Sequence, residues 1–167
     1  MEVNGFHSGL LVGDVENMPY ADNTFDFVYS YGVIHHTPNM EKAIEEIYRV
    51  LKPGGECWIA VYNKNSWFYR RMLIPSYFLS GDYKHMSIAQ RLNLIEYPNT
   101  NKDIMVRVTS KKELRRMFSK FEIVKMKTRS LTRASFIFGG KLLSDAMIER
   151  ISKLFGWYNI VIAKKKI

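Results

Sequence analysis

The chain has 167 residues, 47% hydrophobic and 25% charged, enough apolar material for one ordinary core, which excludes a disordered chain, a collagen-like repeat and a disulfide miniprotein. Its single cysteine, Cys57, cannot form an internal disulfide, no run approaches the ~18–20 apolar residues of a membrane span, and no secretory leader heads the chain, so a cytoplasmic protein is expected. The formal charge of +9 invites a nucleic-acid reading, but residues 1–60 carry a net −6 and residues 61–167 a net +15.

Taken in order, Ser8 to Val12 is a short apolar run bounded by Gly5 and Gly13, the pattern of a buried strand. Met18 to Asn23 is rich in turn formers, and Phe25 to Ser30 is β-favouring and aromatic, a second strand that stops at Tyr31-Gly32. The spacing of Ile44, Ile47, Val50 and Leu51 predicts a helix over Met40 to Leu51. Thr37 or Asn39 can cap it, and Glu41 sits where the helix dipole favours an anion. Lys52-Pro53-Gly54-Gly55 stops this helix, and Cys57 to Tyr62 is a nearly continuous apolar strand of the kind buried on both faces of a sheet. Strand, loop, strand, helix, strand is an α/β unit.

Beyond residue 62, Trp67 to Phe78 crowds aromatic and aliphatic residues around Arg70 and Arg71. Ser87 to Glu96 predicts a helix, and Tyr97 to Asn101 a loop. Ser110 and Glu113 form a capping-box pattern, opening a helix whose buried side is Leu114, Met117, Phe118 and Phe121. Glu122 to Lys127 alternates as a strand does; Trp157 to Ala163 is a final strand before Lys164-Lys165-Lys166. The densest basic run is Lys111, Lys112, Arg115, Arg116, Lys120, Lys125, Lys127, Arg129 and Arg133, which could meet phosphates. It lies largely on an amphipathic helix and an edge strand, where a solvated face is the default, and no nucleic-acid-binding module accompanies it.

Four blocks in this order, Gly13-Asp14-Val15-Glu16-Asn17-Met18-Pro19-Tyr20, Phe25-Asp26-Phe27-Val28, Gly32-Val33-Ile34-His35-His36 and Val50-Leu51-Lys52-Pro53-Gly54-Gly55, resemble the class I S-adenosylmethionine (SAM)-dependent methyltransferases. The likeness is to methyltransferase type 11 and to the branch that includes quinone-biosynthesis C-methyltransferases. It covers residues 2–62 by motif, 109–164 by topology and 63–108 by position. The resemblance implies an α/β fold: an incomplete Rossmann-like methyltransferase sheet, from the third strand onward, with a helical lid insertion and an antiparallel C-terminal edge. It divides one domain into a partial SAM-binding core (1–62), a lid or substrate insertion (63–108) and a closing helix-strand-helix-strand segment (109–167).

By that resemblance Asp14 meets the adenine amino group and the Val15 N–H its ring, a carboxylate accepting from an exocyclic amine; alternatively Asp14 only caps its turn. Ser30, Tyr31, Gly32 and Val33 correspond to the floor under the methionyl part of the cofactor. Gly32 there admits close approach, or is an ordinary turn glycine. His35 and His36 either offer a neutral imidazole as a base near the reacting methyl or pack and hydrogen-bond at the helix entry. No metal site is expected, because adjacent histidines project differently and no Cys or carboxylate cluster completes a shell. The position and aromatic content of the lid imply a small or lipid-like substrate, with a basic edge for an acidic group on it or for a membrane surface.

The family's glycine-rich turn and the acidic strand end after it have no match here. Gly5, Gly9 and Gly13 do not form G-x-G-x-x-G, 13 residues precede Asp14, and Glu2-Val3-Asn4-Gly5 reads as the tail of a helix. The expectation is a truncated methyltransferase, inactive as this chain alone, with a sheet edge open to self-association. The alternatives are a degenerate, non-catalytic binding or assembly module and a nucleic-acid methyltransferase.

Overall fold

The structure, a computed structural model, describes residues 2–3, 6–7, 9–99, 104–132, 135 and 142–167; Asn4, Gly5, Ser8, Thr100, Asn101 and Arg133 of the segments above lie outside them. Two short strands, β1 (Glu2–Val3) and β2 (Phe6–His7), pair antiparallel with each other. The expected helix tail at Glu2 is therefore extended, consistent with the low helix preference of a β-branched residue such as Val3.

The remaining elements are β3 (Phe25–Tyr31), α1 (Met40–Val50), β4 (Leu51–Tyr62), α2 (Ile74–Leu79), α3 (Ile88–Glu96), α4 (Lys111–Met117), β5 (Phe121–Arg129), α5 (Asp145–Phe155) and β6 (Tyr158–Lys165). A π-helical turn, Phe68–Leu73, leads into α2. The main sheet is open, in the order β3-β4-β6-β5, with β3 and β4 parallel and the other two pairings antiparallel. It is the mixed Rossmann-like sheet with helical insertions and an antiparallel C-terminal side that the motif order implies.

Local chemistry fixes the helices. Asn39 caps α1, its Oδ1 accepting from the Lys42 N–H at 3.1 Å, and the helix buries Met40, Ala43, Ile44, Ile47 and Val50. Ser110 and Glu113 form the reciprocal capping box of α4, and Ser87 and Gln90 form another at α3. The faces of α1 and α4 meet β4 and β6 in one core that includes Ile44, Ile47, Ile59, Val61, Leu114, Phe118 and Val161. A second cluster, Tyr62, Tyr69, Leu73, Leu92 and Val106, packs the segment after β4 against the end of that strand. Arg116 and Lys120 of the basic run reach Glu41 and Glu45 of α1 at 2.8 and 3.0 Å, exposed pairs worth little to stability.

Two expectations are corrected. Residues 9–13 form no strand, and Leu10, Leu11 and Val12 are 79, 62 and 101% exposed. An apolar run becomes a strand only where a neighbour supplies ladder hydrogen bonds and a face to bury, and β3 is the edge strand, with no described strand on its outer side. Nor is β4 buried on both faces throughout: Ala60 and Tyr62 are covered, but Trp58 on the same face is not. Trp58 is 42% exposed, packed edge-on against exposed Phe27, and Tyr29 and Tyr31 continue the same uncovered aromatic face along β3. Between these, Cys57 is fully buried, and burial pushes its thiol up to about 12.

Candidate active site

The Asp14 turn is local in origin. Asp14 Oδ1 accepts from the Glu16 N–H at 2.9 Å, and the Asn17 N–H donates to the Asp14 carbonyl at 3.1 Å. Glu16 Oε1 then accepts from the Asn39 N–H at 2.5 Å, immediately ahead of α1, while Glu46 Oε2 accepts from the Met18 N–H at 2.8 Å. Arg49 closes the loop, donating to the Met18 and Tyr20 carbonyls and to the carboxylates of Asp22 and Glu46. Those hydrogen bonds hold the Glu46 carboxyl below its ordinary range. The start of α1 lies beyond the carboxyl end of β3, where open α/β sheets place their ligands, so this network pins the Asp14-Val15 turn there. The Asp14 side chain is exposed, whereas Val15 packs on the main core.

At the end of β3, Ser30 Oγ is buried without a hydrogen-bond partner. Tyr31 and Val33 are exposed, and Gly32 between them has φ +75°, with its N–H donated to the Ala60 carbonyl at 3.1 Å. A side chain at Gly32 would have space but a strained backbone, so conformation is what requires the glycine.

The 3₁₀ turn Ile34–His36 separates the two histidines. His35 is 0% exposed, its ring tilted against Tyr62 at 3.9 Å and against His36 at 4.1 Å by centroid, and neither ring nitrogen has a hydrogen-bond partner. Burial, and then the proximity of His36, hold its imidazole down to about 3. His36 is only half-buried. Its Nδ1 lies 2.9 Å from the Met105 carbonyl, which fixes the proton on that nitrogen and leaves Nε2 to accept from the Tyr97 hydroxyl at 3.3 Å.

Several neighbours of this turn carry no local sequence signal, because the pairing of β4 with β6 and the folding back of α3 bring them there. Tyr62, at the end of β4, stacks on Trp157 at 4.3 Å and lies 5.2 Å from Tyr158, which in turn is 4.7 Å from Tyr31. Glu96, the last residue of α3, is half-buried; burial raises its carboxyl, partly countered by the adjacent Tyr62 hydroxyl and by His36. Burial likewise raises the Tyr62 and Tyr158 phenols, so both stay protonated donors. A buried amide pair anchors this end of the sheet: Asn159 donates to Asn63 Oδ1 and to the Thr109 carbonyl, and Asn63 donates to the Gly156 carbonyl.

Beside these rings opens a cavity of about 450 Å³ lined by Phe68, Met72, Ile95, Glu96, Ser130, Thr132, Ser135 and Trp157. It is continuous with the Tyr31 turn through Ser130, whose Oγ lies 3.5 Å from the Tyr31 hydroxyl. Ser130 has φ +68°, a strained conformation for a residue with a side chain. Arg70 and Arg71, expected at the edge of a substrate pocket, are exposed and absent from its described lining.

Residues 2–59 match the family described as "Methyltransferase domain". The chain is 54% identical over 43 residues to sterol 24-C-methyltransferase of Schizosaccharomyces pombe, covering 26% of this chain and 11% of that protein. It is 46% identical over 54 residues to a ubiquinone/menaquinone biosynthesis C-methyltransferase of Hydrogenovibrio crunogenus, covering 32% and 21%. The chain thus spans about a tenth to a fifth of the length of these curated relatives. The fold is similar to that of a SAM-dependent methyltransferase from Thermotoga maritima, with a TM-score of 0.58 and 23% identity, covering 93% of this chain and 63% of that one. A Methanosarcina mazei SAM-dependent methyltransferase gives 0.58 and 18%, covering 94% and 66%. Residues 2–59 are thus similar to a methyltransferase domain, and the fold of the chain is similar to that of SAM-dependent methyltransferases.

The described residues suit one side of such a cofactor. The exposed Asp14 carboxylate has an oxygen with no partner among the described residues, Ser30 presents an orphaned hydroxyl, and Gly32 gives a backbone a ligand can approach.

Proposed function

We propose that this chain carries the acceptor side and one wall of the cofactor site of a SAM-dependent methyltransferase acting on a small or lipid-like molecule. Asp14 and the Val15 N–H hold adenine, and Ser30, Tyr31, Gly32 and Val33 line the methionyl portion. SAM, when bound, supplies an electrophilic methyl group. The chain's own residues position the acceptor and exclude water from it, through the ring faces of Tyr62, Trp157 and Tyr158. His36, not the sealed His35, is the residue that can take a proton from the acceptor, its Nε2 exchanging the Tyr97 hydroxyl for the acceptor's donor. The observation that carries this reading is the orphaned Ser30 hydroxyl beside the positive-φ Gly32, at the sheet end where the His36 turn and the cavity also lie.

The same reading holds that the chain alone does not turn over. The outer edge of β3 and the aromatic face of Phe27, Tyr29, Tyr31 and Trp58 require further strands and a covering layer to close the cofactor site; without them that edge favours self-association. Calorimetric titration with S-adenosylhomocysteine tests it. The chain alone is expected to show no tight binding, and a chimaera with the preceding portion of a matched methyltransferase fused ahead of Gly9 is expected to bind. Tight binding by the chain alone overturns the incompleteness. A folded chimaera that does not bind, or in which Asp14→Ala changes nothing, overturns the cofactor assignment.

A further inference from the structure

The chain carries a formal +9, yet the cavity of about 450 Å³ beside the Tyr31 turn has Glu96 as the sole charged residue of its described lining. We propose that this cavity binds an amine carried on an apolar body, with the ammonium between the Glu96 carboxylate and the ring faces of Trp157 and Phe68. The geometry favours a cation over the alternatives. Trp157 is backed by Tyr62 at 4.3 Å and met by Phe68 at 5.0 Å and 80°, so two rings stand at nearly right angles on the wall that Glu96 shares. The faces of such rings carry partial negative charge and attract a cation, most strongly when water is excluded.

A purely apolar ligand would fit Met72 and Ile95 but would bring no charge to the half-buried carboxyl, whose neighbour is the Tyr62 hydroxyl. Burial already holds that carboxyl above its ordinary range, a penalty that a paired cation relieves. The cavity is of the size that encloses a small organic ligand. As the site of a methyl acceptor this pocket rests on the function proposed above; as an amine pocket it rests on Glu96 and the two rings alone.

The test uses the full chain without cofactor, titrated near neutral pH with N,N-dimethylbenzylamine and with isobutylbenzene, its uncharged isostere, and read by tryptophan fluorescence and by shifts of amide resonances lining the cavity. The amine is expected to bind about tenfold more tightly than the isostere, and Glu96→Gln to remove that preference while leaving isobutylbenzene affinity unchanged. Equal binding of the two probes, a preference that survives E96Q, or binding of neither overturns the proposal. The wild-type ratio decides the matter if E96Q does not fold. Failure of the fused chimaera to bind S-adenosylhomocysteine would leave the amine result standing, and an absent amine preference would leave cofactor binding untouched, so the two proposals fail separately.

Discussion

Replacing His35 by phenylalanine isolates a single buried titration. The imidazole is sealed between His36 and Tyr62 with both nitrogens unpartnered, and it is held at about 3 against an ordinary 6.5. As pH falls below 6.5 the unfolded chain takes up a proton at this residue and the folded chain does not. The stability this group leaves intact at neutral pH is therefore lost progressively as pH falls from about 6.5 towards 3. At about 1.36 kcal/mol per pH unit, the loss between pH 7 and pH 4.5 is about 2.6 kcal/mol. His35→Phe keeps an aromatic ring against Tyr62 and removes both the titration and the two orphaned nitrogens. Its stability at pH 7 should match or exceed that of the parent by about 1–2 kcal/mol. Urea unfolding of both proteins at the two pH values, followed by circular dichroism, gives the comparison. Glu46 and Glu113, held low, and Glu96, held high, titrate in both proteins and cancel in the difference. Parallel losses on acidification in parent and variant would refute the reasoning.

Phe118→Ala empties the centre of the core between α4 and the sheet, and should cost about 3–5 kcal/mol in urea unfolding. Asn159→Leu strands the Thr128 hydroxyl, which donates to Asn159 Oδ1 at 3.1 Å, and removes one of two donors from both Asn63 Oδ1 and the Thr109 carbonyl, which keep the Asn65 and Lys64 N–H groups. A loss of about 2–4 kcal/mol is expected, with faster hydrogen exchange around Thr109. Ser110→Ala removes one half of a capping box and should lower the midpoint of the same transition by the equivalent of about 1 kcal/mol.

What the sequence made legible is what short-range chemistry decides. The repeat of Ile44, Ile47 and Val50 behind Asn39, and the Ser110–Glu113 pair, specify α1 and α4 by spacing alone, and both form where they were expected. Residues 9–12 were misread because burial of an apolar run depends on a neighbour that the run itself does not encode. Trp58 was misread for the same reason, since whether a face of β4 is covered is settled elsewhere in the chain. His35 and His36 were found as a pair, but their separation into a sealed ring and a reachable one comes from Tyr62, Tyr97 and Met105, all remote in sequence. Glu96 read as the end of a helix. Nothing nearby announces that its carboxyl will face Tyr62 once the lid folds back.

The solitary thiol is also a clock. Cys57 sits mid-strand, opposite Val28 on one side and Ala163 on the other, and no second cysteine shares its signal. Thiolate is the species that reagents attack, and a thiol held at about 12 and wholly enclosed presents almost none of it. Each labelled molecule has therefore opened the core that α1 and α4 form over this face of the sheet. With reagent in excess, the labelling rate counts those openings in the native population; with reagent scarce, it measures the fraction open at any moment. Reading that rate with and without the amine probe, or after fusion of a complementing segment, would show how far each steadies the centre of the sheet without any engineered label.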